Sequence, residues 1–430
     1  MFMLSEYDPT YFYDSKSVTR TAKGIMFAIF IFFCAASTGS GREVPRSQSN
    51  IFDVMEFGAV ADGETDDSSV YMISHSPNAF LEAWENACDA TGDVSTLVVP
   101  EGTYLLQPVL FQGPCESKNI HVEIRGTLVA PPTLEDWKYC DRKGWIKFKR
   151  IDGLRVGGCG QIDGRGSLWW EEFRKMGMYS CDSKLTAMAF HSCNDVKLSG
   201  LHHLNPPKNH ISVNGCRGVI ISNLTLVAPD YSPNTDGINL SMSTNVTIRD
   251  SFIGTGDDCV AINGNTTFVN ITGVKCGPGH GISLGDPRRG SPDIVEEVHV
   301  SNCVFNGTTN GARIKTWQGG KGYARRISFE NITLIKAKNP IIIDQFYCNG
   351  KHNCKEQESA VKVSDVTYER VKGTCINKRA VTFNCSDTMS CDNIIMKEVM
   401  ITSHVNTFVT CNNANGISNS TVPDASCLFD

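Results

Sequence analysis

The stretch that decides the fold of this chain is VTIRDSFI, residues Val246–Ile253. Apolar and polar residues alternate with period two on both sides of an Asp, and β-branched residues are frequent, which predicts a short strand, a bend and a second short strand. Starts of this pattern recur 23 to 34 residues apart, which indicates a repeat architecture. The other copies are VKLSGLHH from Val196, VIISNLTL from Val219, VNITGVKC from Val269, VHVSNCVF from Val298, ISFENITL from Ile327, VKVSDVTY from Val361 and IIMKEVMI from Ile394.

Coils of this length, each with two or three short strands, predict an all-β fold: a right-handed parallel β-helix of about ten coils. Stacked coils lie about 4.8 Å apart, so equivalent positions form ladders along the surface. An antiparallel sandwich is the alternative, but Asn-Gly hairpin turns do not fall regularly between the repeats. Asn78–Ala90 has helical patterning and is predicted to cap the first coil, and the Cys-rich tail from Cys375 suits the other end.

Composition narrows the class of protein. The 430 residues exceed the usual size of one globular core, as a fold that grows along one axis allows. With 40 basic and 46 acidic side chains the chain lacks the basic excess that nucleic-acid binding needs. The 18 cysteines show no convincing pair of CxxC zinc knuckles and favour an oxidising compartment. Nine sequons point the same way and predict a glycoprotein: Asn223, Asn239, Asn245, Asn265, Asn270, Asn306, Asn331, Asn384 and Asn419.

The N-terminal region resembles a secretory leader. The apolar run Ile25–Ala36 is too short to span a bilayer and precedes small residues, as in a signal peptide. We therefore predict a leader over residues 1–40 and a single catalytic domain over 50–430. The acidic residues before the run leave a signal anchor open. Cleavage would remove Cys34 and leave 17 cysteines, at least one of them unpaired.

Four polar clusters flanked by glycine or strand residues lie between the repeats, at a similar distance from the start of their own coils. Stacking should bring them to one face within about 15 Å. They are SPNTDG (232–237), GDDC (256–259), GHG (279–281) and RIK (313–315). Each cluster alone would be an ordinary turn or a solvated strand face, and their joint occurrence in consecutive coils indicates a site.

The side chains in these clusters suit acid–base hydrolysis of an anionic substrate. Three carboxylates stand beside a His, an Arg and a Lys. One acid must protonate the leaving glycosidic oxygen while another carboxylate activates water. Crowded like charges raise the proton affinity of one member of such a group, and the cations can receive a substrate carboxylate.

The four motifs, in this order, resemble the signature of the polygalacturonases, glycoside hydrolase family 28, and phrases such as GDDCVAIN resemble the plant branch. The similarity runs from about Phe52 to the C-terminus and includes DQFYC at 344–348. The resemblance implies a secreted cell-wall enzyme that hydrolyses the α-1,4-galacturonosidic bonds of de-esterified homogalacturonan with inversion. It implies no metal, no cofactor, a polysaccharide as the partner, no nucleic acid, no stable membrane association and a monomer.

The resemblance also assigns roles. It implies Asp257 as general acid, Asp236 and Asp258 as the pair that positions water, and His280 as support for the acid. The implied substrate-binding residues are Asn234, Arg313, Lys315 and Tyr347. Among disulfides, we expect Cys259–Cys276 to join neighbouring coils beside these motifs, and Cys348–Cys354 and Cys385–Cys391 to close short loops.

Two other functions stay open on the same scaffold: a calcium-dependent pectate lyase and a non-catalytic wall-binding protein. Endo or exo attack and neighbouring pectic substrates such as xylogalacturonan also stay open, because loops outside the motifs decide them. A stretch of about nine extra residues, Ser69–Pro77, lies before the first helix. We expect it to be an exposed loop whose deletion leaves activity intact, since long surface loops cost little closure entropy.

Overall fold

The computed structural model describes residues 50–68, 79–137, 144–177, 185–285, 292–348, 357–358 and 360–428. The predicted leader and the stretch 69–77 lie outside these residues, so both stay predictions. All described residues fall within one compact unit. None of the helices among them has the length and the apolar character that crossing a membrane requires.

Short strands dominate the described chain, together with two α-helices, α1 (Ala79–Asp89) and α2 (Ser167–Met176), and two 3-10 helices, Val54–Phe57 and Ser426–Leu428. The strands, in chain order, are β1 (Asn50–Asp53), β2 (Asp62–Asp66), β3 (Ser95–Val99), β4 (Thr103–Leu105), β5 (Val109–Gln112), β6 (Ile120–Ile124), β7 (Thr127–Val129), β8 (Ile146–Lys149), β9 (Leu154–Gly158), β10 (Gln161–Asp163), β11 (Met188–His191), β12 (Asn194–Ser199), β13 (His202–Leu204), β14 (Ile211–Asn214), β15 (Arg217–Ser222), β16 (Thr225–Val227), β17 (Ile238–Ser241), β18 (Thr244–Arg249), β19 (Phe252–Gly254), β20 (Val260–Ile262), β21 (Thr266–Thr272), β22 (Lys275–Cys276), β23 (Ile282–Leu284), β24 (Pro292–Ser301), β25 (Val304–Asn306), β26 (Asn310–Trp317), β27 (Lys321–Ala337), β28 (Asn339–Tyr347), β29 (Lys362–Cys375), β30 (Arg379–Asn384), β31 (Cys391–Lys397), β32 (Met400–Thr402), β33 (Phe408–Asn412) and β34 (Ala414–Asn419).

These strands form a right-handed parallel β-helix, which confirms the predicted fold. One sheet contains 11 of the described strands, in the order β33-β30-β28-β26-β23-β20-β17-β14-β11-β8-β5. We call it the cleft sheet. The remaining 23 strands form the second sheet, which wraps the rest of each coil. Strand pairing between the named strands is parallel, as in β17–β20 and β20–β23, so each residue lies beside its counterpart in the next coil.

The repeat found in the sequence builds the core. Its first apolar position forms a ladder of side chains that are at most 1% exposed, running through Val219, Val246, Val269, Val298, Ile327 and Ile394. In the copy predicted to start at Val361 the phase was wrong: strand register places Val366, five residues later, in the ladder between Ile327 and Ile394. Burying a side chain of this kind stabilises the fold by roughly 1.5–3 kcal/mol, so the ladder alone is a large favourable contribution.

The polar residue in the middle of the repeat makes the bend. Asn223, Asp250, Asn302 and Asn331 have φ angles of 53°, 51°, 53° and 53°. Asn and Asp tolerate this left-handed conformation better than other residues with a side chain, which explains their recurrence at that position.

The helices cover parts of the coil stack. The predicted capping helix is present as α1, with Phe80, Ala83, Trp84 and Ala87 buried against the first coils. Helix α2 is a correction to the sequence-based prediction, which has helical patterning only at Asn78–Ala90. It buries Trp169 and Trp170, and Gly177 ends it with a φ of 68°.

Disulfides add covalent links to the coil stack and to the segments at its ends. Cys259–Cys276 and Cys385–Cys391 are joined as expected, and Cys88–Cys115 and Cys411–Cys427 are further bridges. Cys348 is disulfide-bonded, but Cys354 lies outside the described residues. Four described cysteines, Cys193, Cys216, Cys303 and Cys375, keep free buried thiols. The bridges are consistent with secretion.

Candidate active site

The cleft sheet brings the four motifs together as expected from their phase. Asp236 precedes β17, the Asp257–Asp258 pair precedes β20, His280 precedes β23, and Arg313 and Lys315 lie on β26. These are four successive strands of the cleft sheet. A cleft of about 430 Å³ is lined by Asn234, Asp236, Asp257, Asp258, Lys315 and Tyr347, among others.

Hydroxyl groups lock the first two motifs to each other. The Ser232 and Thr235 hydroxyls are 2.7 Å apart, and the Thr255 hydroxyl donates to that of Thr235 at 2.8 Å. The backbone N–H of Gly256 donates to the same Thr235 oxygen at 3.1 Å. A Cβ atom at Gly256 would lie 2.0 Å from the Ser232 carbonyl oxygen, so this close approach requires glycine.

Asp257 faces the cleft and is paired with the third motif. Its Oδ1 lies 2.9 Å from the His280 Nδ1 and accepts a hydrogen bond of 2.9 Å from the Asp258 N–H. The backbone N–H of His280 donates to the Asp257 carbonyl at 2.7 Å. The Asp257 side chain is 26% exposed and that of His280 37%, so both can contact a ligand in the cleft.

Asp258 is the buried anion of the site. Its side chain is 2% exposed, and its Oδ1 accepts from the Ser283 hydroxyl at 2.8 Å and from an Arg313 Nη2 at 2.5 Å. Its Oδ2 accepts from the Lys315 Nζ at 3.0 Å. Burial alone would raise the pKa of Asp258, but Arg313, Lys315 and the Ser283 hydrogen bond outweigh it and hold that pKa below its usual value.

The two cations therefore already have a partner inside the protein. Burial lowers and Asp258 raises the pKa of Lys315, and the net direction is upward. The Lys315 Nζ also lies 5.0 Å from the centroid of the Tyr347 ring, which packs edge-on against Trp317. Arg313 is oriented a second time by its Nε, which donates to the Ser283 hydroxyl at 2.8 Å.

Asp236 is the member of the group that keeps a proton most readily. Burial first, and then the neighbouring charges of Asp257 and Asp258, raise its pKa well above the usual value. The sequence predicted that crowding would raise the proton affinity of one carboxylate. The resemblance places the proton donor at Asp257, whereas the carboxyl group whose pKa is raised is Asp236.

Three contributors to the site were not singled out in the sequence. Ser283 connects Asp258 to Arg313, and Asn239 hydrogen-bonds to Asp236. Lys208 lines the cleft one coil before Asp236; burial lowers its pKa, while Asp236 and Asp257 act in the opposite direction. Ser283 lies three residues after His280 and pairs with Arg313 in the next coil. Its position in the coil, which matches that of Arg313, could have marked it in the sequence as a site residue. No sequence motif marks Lys208.

One cluster in the described residues could hold a cation. Ligand atoms of Asp257, Asp258 and His280 lie within 4.8 Å of one another. Calcium prefers six to eight oxygen ligands, whereas this set offers one imidazole and an Asp258 carboxylate that already binds Arg313 and Lys315. The donor set therefore fits calcium poorly.

Comparisons with known proteins give a consistent result. Residues 88–427 match the family model described as Glycosyl hydrolases family 28. A protein of Arabidopsis thaliana named Probable polygalacturonase is 46% identical over 391 residues, covering 89% of this chain and 81% of its own. A polygalacturonase of Persea americana is 42% identical, with 84% and 76% covered. The solved endo-xylogalacturonan hydrolase of Aspergillus tubingensis superposes with a TM-score of 0.73 at 25% identity, covering 86% of this chain and 99% of its own.

Proposed function

Because this chain belongs to family 28 of the glycosyl hydrolases, we propose that it is a polygalacturonase that hydrolyses α-1,4-galacturonosidic bonds of de-esterified homogalacturonan. The observation that supports this most is the pairing of a carboxylate cluster with buried cations in one cleft. Asp258 is kept ionised by Arg313 and Lys315, while the pKa of Asp236 is raised. A carboxylate with a raised pKa takes up a proton more readily, so Asp236 suits the base that accepts the proton of the attacking water, while the ionised Asp258 beside it helps to orient that water.

In the proposed reaction, Asp257 donates its proton to the glycosidic oxygen as the bond to the anomeric carbon breaks. His280, 2.9 Å from the Asp257 Oδ1, positions that carboxyl group. Asp236 and Asp258 orient a water molecule that attacks the anomeric carbon from the opposite side, and the water passes its proton to Asp236, because Asp258 is held ionised by Arg313 and Lys315. Attack from the opposite face inverts the configuration, as the resemblance to the family implies.

The substrate carboxylate would be received at the Arg313–Lys315 end of the cleft. Each cation gives Asp258 one hydrogen bond, and a guanidinium has five N–H donors and an ammonium three, so both retain capacity for a second acceptor. Tyr347 would form the wall beside Lys315, and Asn234 would orient neighbouring polar groups. A neutral or esterified sugar would forgo this charge pairing.

A pectate lyase would use bound calcium, and the cluster Asp257–Asp258–His280 is the described group closest to a cation site. Because this cluster fits calcium poorly, we favour a hydrolase over a calcium-dependent lyase. A non-catalytic wall-binding protein would have no need of a buried ion-paired carboxylate beside a second carboxyl group with a raised pKa. We further propose that the protein is secreted to the cell wall and acts as a monomer on the polysaccharide, with no nucleic-acid partner and no stable membrane association once the leader is removed.

Product analysis of the purified protein on polygalacturonate, with and without a chelator, tests the proposal. A hydrolase gives new reducing ends, no product that absorbs in the ultraviolet, and the same rate with the chelator. An unsaturated product whose formation stops with the chelator would identify a lyase. Tight binding of the polymer without any product would identify a wall-binding protein.

A further inference from the structure

A second cavity opens on the cleft sheet, beyond the cations of the active site. Its volume is about 510 Å³, and it is lined by residues of β28, β30, β33 and the turn before β30. The residues that matter for its chemistry are Ile342, Lys378, Arg379, Thr382 and Phe408. We call it the distal cavity.

Strand register makes the distal cavity a continuation of the active site. Arg313 on β26 pairs with Ile342 on β28, and Ile342 pairs with Thr382 on β30. Ser283 precedes Arg313 in the same ladder. At about 4.8 Å per strand, Thr382 lies roughly 10 Å beyond Arg313 along the axis of the β-helix. A polymer that follows the cleft sheet past Arg313 therefore reaches the distal cavity next.

Hydrogen bonds between coils hold the rim of the distal cavity in place. The Asn377 side chain donates to the Asn339 Oδ1 at 3.2 Å, and the Asn339 side chain donates to the Thr309 carbonyl at 3.1 Å. The Phe408 N–H donates to the Lys378 carbonyl at 2.9 Å, which places the aromatic ring beside the two cations. The rim is thus tied to the coil that carries Arg313.

The charge and shape of the distal cavity select the ligand. Lys378 and Arg379 are exposed, and the described residues that line the cavity include no carboxylate. Phe408 is 43% exposed, and with Ile342 it offers an apolar surface of the kind that accepts the face of a sugar ring. The cations Lys378 and Arg379 lie beside this apolar surface, so the distal cavity suits a sugar ring that carries a carboxylate, as a uronate does.

We propose that the distal cavity is a subsite for a uronate unit of the same polymer chain that occupies the catalytic cleft. This inference rests on the proposed function and adds to it a preference for long, de-esterified chains. Lys378 and Arg379 bind the carboxylate of that unit, and Phe408 contacts its ring. When a polymer occupies both the catalytic cleft and the distal cavity, at least one sugar unit extends from the cleaved bond into the distal cavity. The enzyme therefore cuts such a chain at an internal bond rather than at the end that lies in the distal cavity.

The test compares Lys378→Gln/Arg379→Gln with the wild type on a series of galacturonate oligomers and on polygalacturonate. The double variant should raise KM about tenfold on the polymer, and the effect should shrink as the oligomer is shortened. It should also weaken binding of long oligomers by about tenfold when measured in the Asp257→Asn background, where turnover does not interfere. The matched control is Lys275→Gln/Arg217→Gln, which changes an exposed Lys and an exposed Arg on the second sheet.

The control should keep the wild-type KM and binding at every length. Equal values for wild type and the Lys378→Gln/Arg379→Gln variant at every length would overturn the distal subsite while the proposed function stands. A wild type that releases no reducing ends from polygalacturonate would overturn the proposed function itself. A uniform loss of binding at all lengths would show that the two cations act in the cleft and would also overturn the subsite.

Discussion

The Oδ1 atom of Asp257 lies 2.9 Å from the Nδ1 atom of His280, although the two residues are 23 positions apart in the chain. The stacking of β20 on β23 produces this contact, because each residue lies in the turn just before its own strand. The imidazole touches the carboxyl group that faces the cleft, so it can hold that group in the orientation in which a proton reaches the substrate.

Asp257→Asn keeps the shape of the side chain and removes its acid proton. We expect turnover on polygalacturonate to fall by about 10²- to 10⁴-fold, the usual contribution of general acid catalysis, while binding of oligomers survives. Reducing-end assays and calorimetry measure the two effects. Asp195→Asn, an exposed position on the second sheet, is the control and should keep wild-type turnover. Near-normal turnover in folded Asp257→Asn would remove this residue from the role of acid.

Arg313→Ala and Lys315→Ala should weaken binding of galacturonate oligomers, since each removes a charge-assisted donor from the cleft. We expect a loss of about 10- to 100-fold, larger for Arg313 because its planar fork is lost. Raising the salt concentration should weaken wild-type binding in the same direction. Lys275→Ala is the control for the loss of a surface Lys. Normal binding by both cleft variants, with only turnover reduced, would contradict the carboxylate-binding role.

Ser283→Ala tests the connection between Asp258 and Arg313. The substitution removes the donor at 2.8 Å to the Asp258 Oδ1 and the acceptor at 2.8 Å for the Arg313 Nε. Leaving these buried partners unsatisfied should lower the free energy of unfolding by about 1–3 kcal/mol. Because Arg313 also loses one of its two orienting contacts, kcat/KM should fall as well. Ser283→Thr keeps the hydroxyl and should restore most of the activity. Equal kcat/KM for wild type and Ser283→Ala would show that Arg313 is positioned by Asp258 alone.

Lys208→Gln tests the cation that no motif marks. Its positive charge lies near Asp236, so its removal should raise the pKa of this base still further. The acid limb of the kcat/KM profile should therefore move to higher pH, by several tenths of a unit, and Lys208→Arg should move it back. An unchanged profile would mean that Lys208 acts only on packing.

The buried histidines His203 and His210 predict a loss of stability in acid. Their ring centroids are 6.3 Å apart, both are fully buried, and burial lowers the pKa of His203 to about 3 and that of His210 well below normal. Below an unfolded pKa near 6.5 the unfolded chain binds more protons than the native one. As the pH is lowered below this value, the free energy of unfolding therefore decreases by up to about 1.4 kcal/mol per pH unit for each His.

Urea unfolding at pH 7, 6 and 5 measures this effect, and His203→Leu/His210→Leu should flatten the pH dependence relative to the wild type. The comparison isolates the histidines because Asp236, whose pKa is raised on folding, acts in the opposite direction in both proteins. An identical slope for wild type and double variant would contradict the prediction.

The sequence predicted the β-helix because each coil repeats one local pattern, and stacking converts that pattern into ladders. Val246 and Asp250 mark a strand and a bend by residue type alone, and neighbouring coils only reinforce them. The phase of Asp257 and His280 within their coils likewise predicted that they would meet. Local information was sufficient wherever one coil copies the next.

Helix α2, the ion pairs of Asp258 and the role of Lys208 could not be predicted from the repeat, because they do not follow from one coil copying the next. Helix α2 contains two adjacent tryptophans, a residue type more typical of strands, and it begins after Gly166, which offers no side-chain capping hydrogen bond. The ion pairs of Arg313 and Lys315 with Asp258 depend on side-chain direction, so the sequence placed these cations in the cleft but did not show that they neutralise an acid. Lys208 was missed because a lone Lys in a turn carries no local signal.

The ion pair between Lys315 and Asp258 has a consequence for the order in which the molecule can be completed. The chain is synthesised from its N-terminus, and Lys315 follows Asp258 by 57 positions. At roughly 5–20 residues per second the carboxylate is present for several seconds before its cationic partner exists. During this interval the coil that carries Asp258 lacks the ion pair that neutralises its buried carboxylate. We therefore expect this coil to reach its native packing only after the later coils have been synthesised. We expect the nascent solenoid to stay open at its growing end until β26 arrives and neutralises the charge.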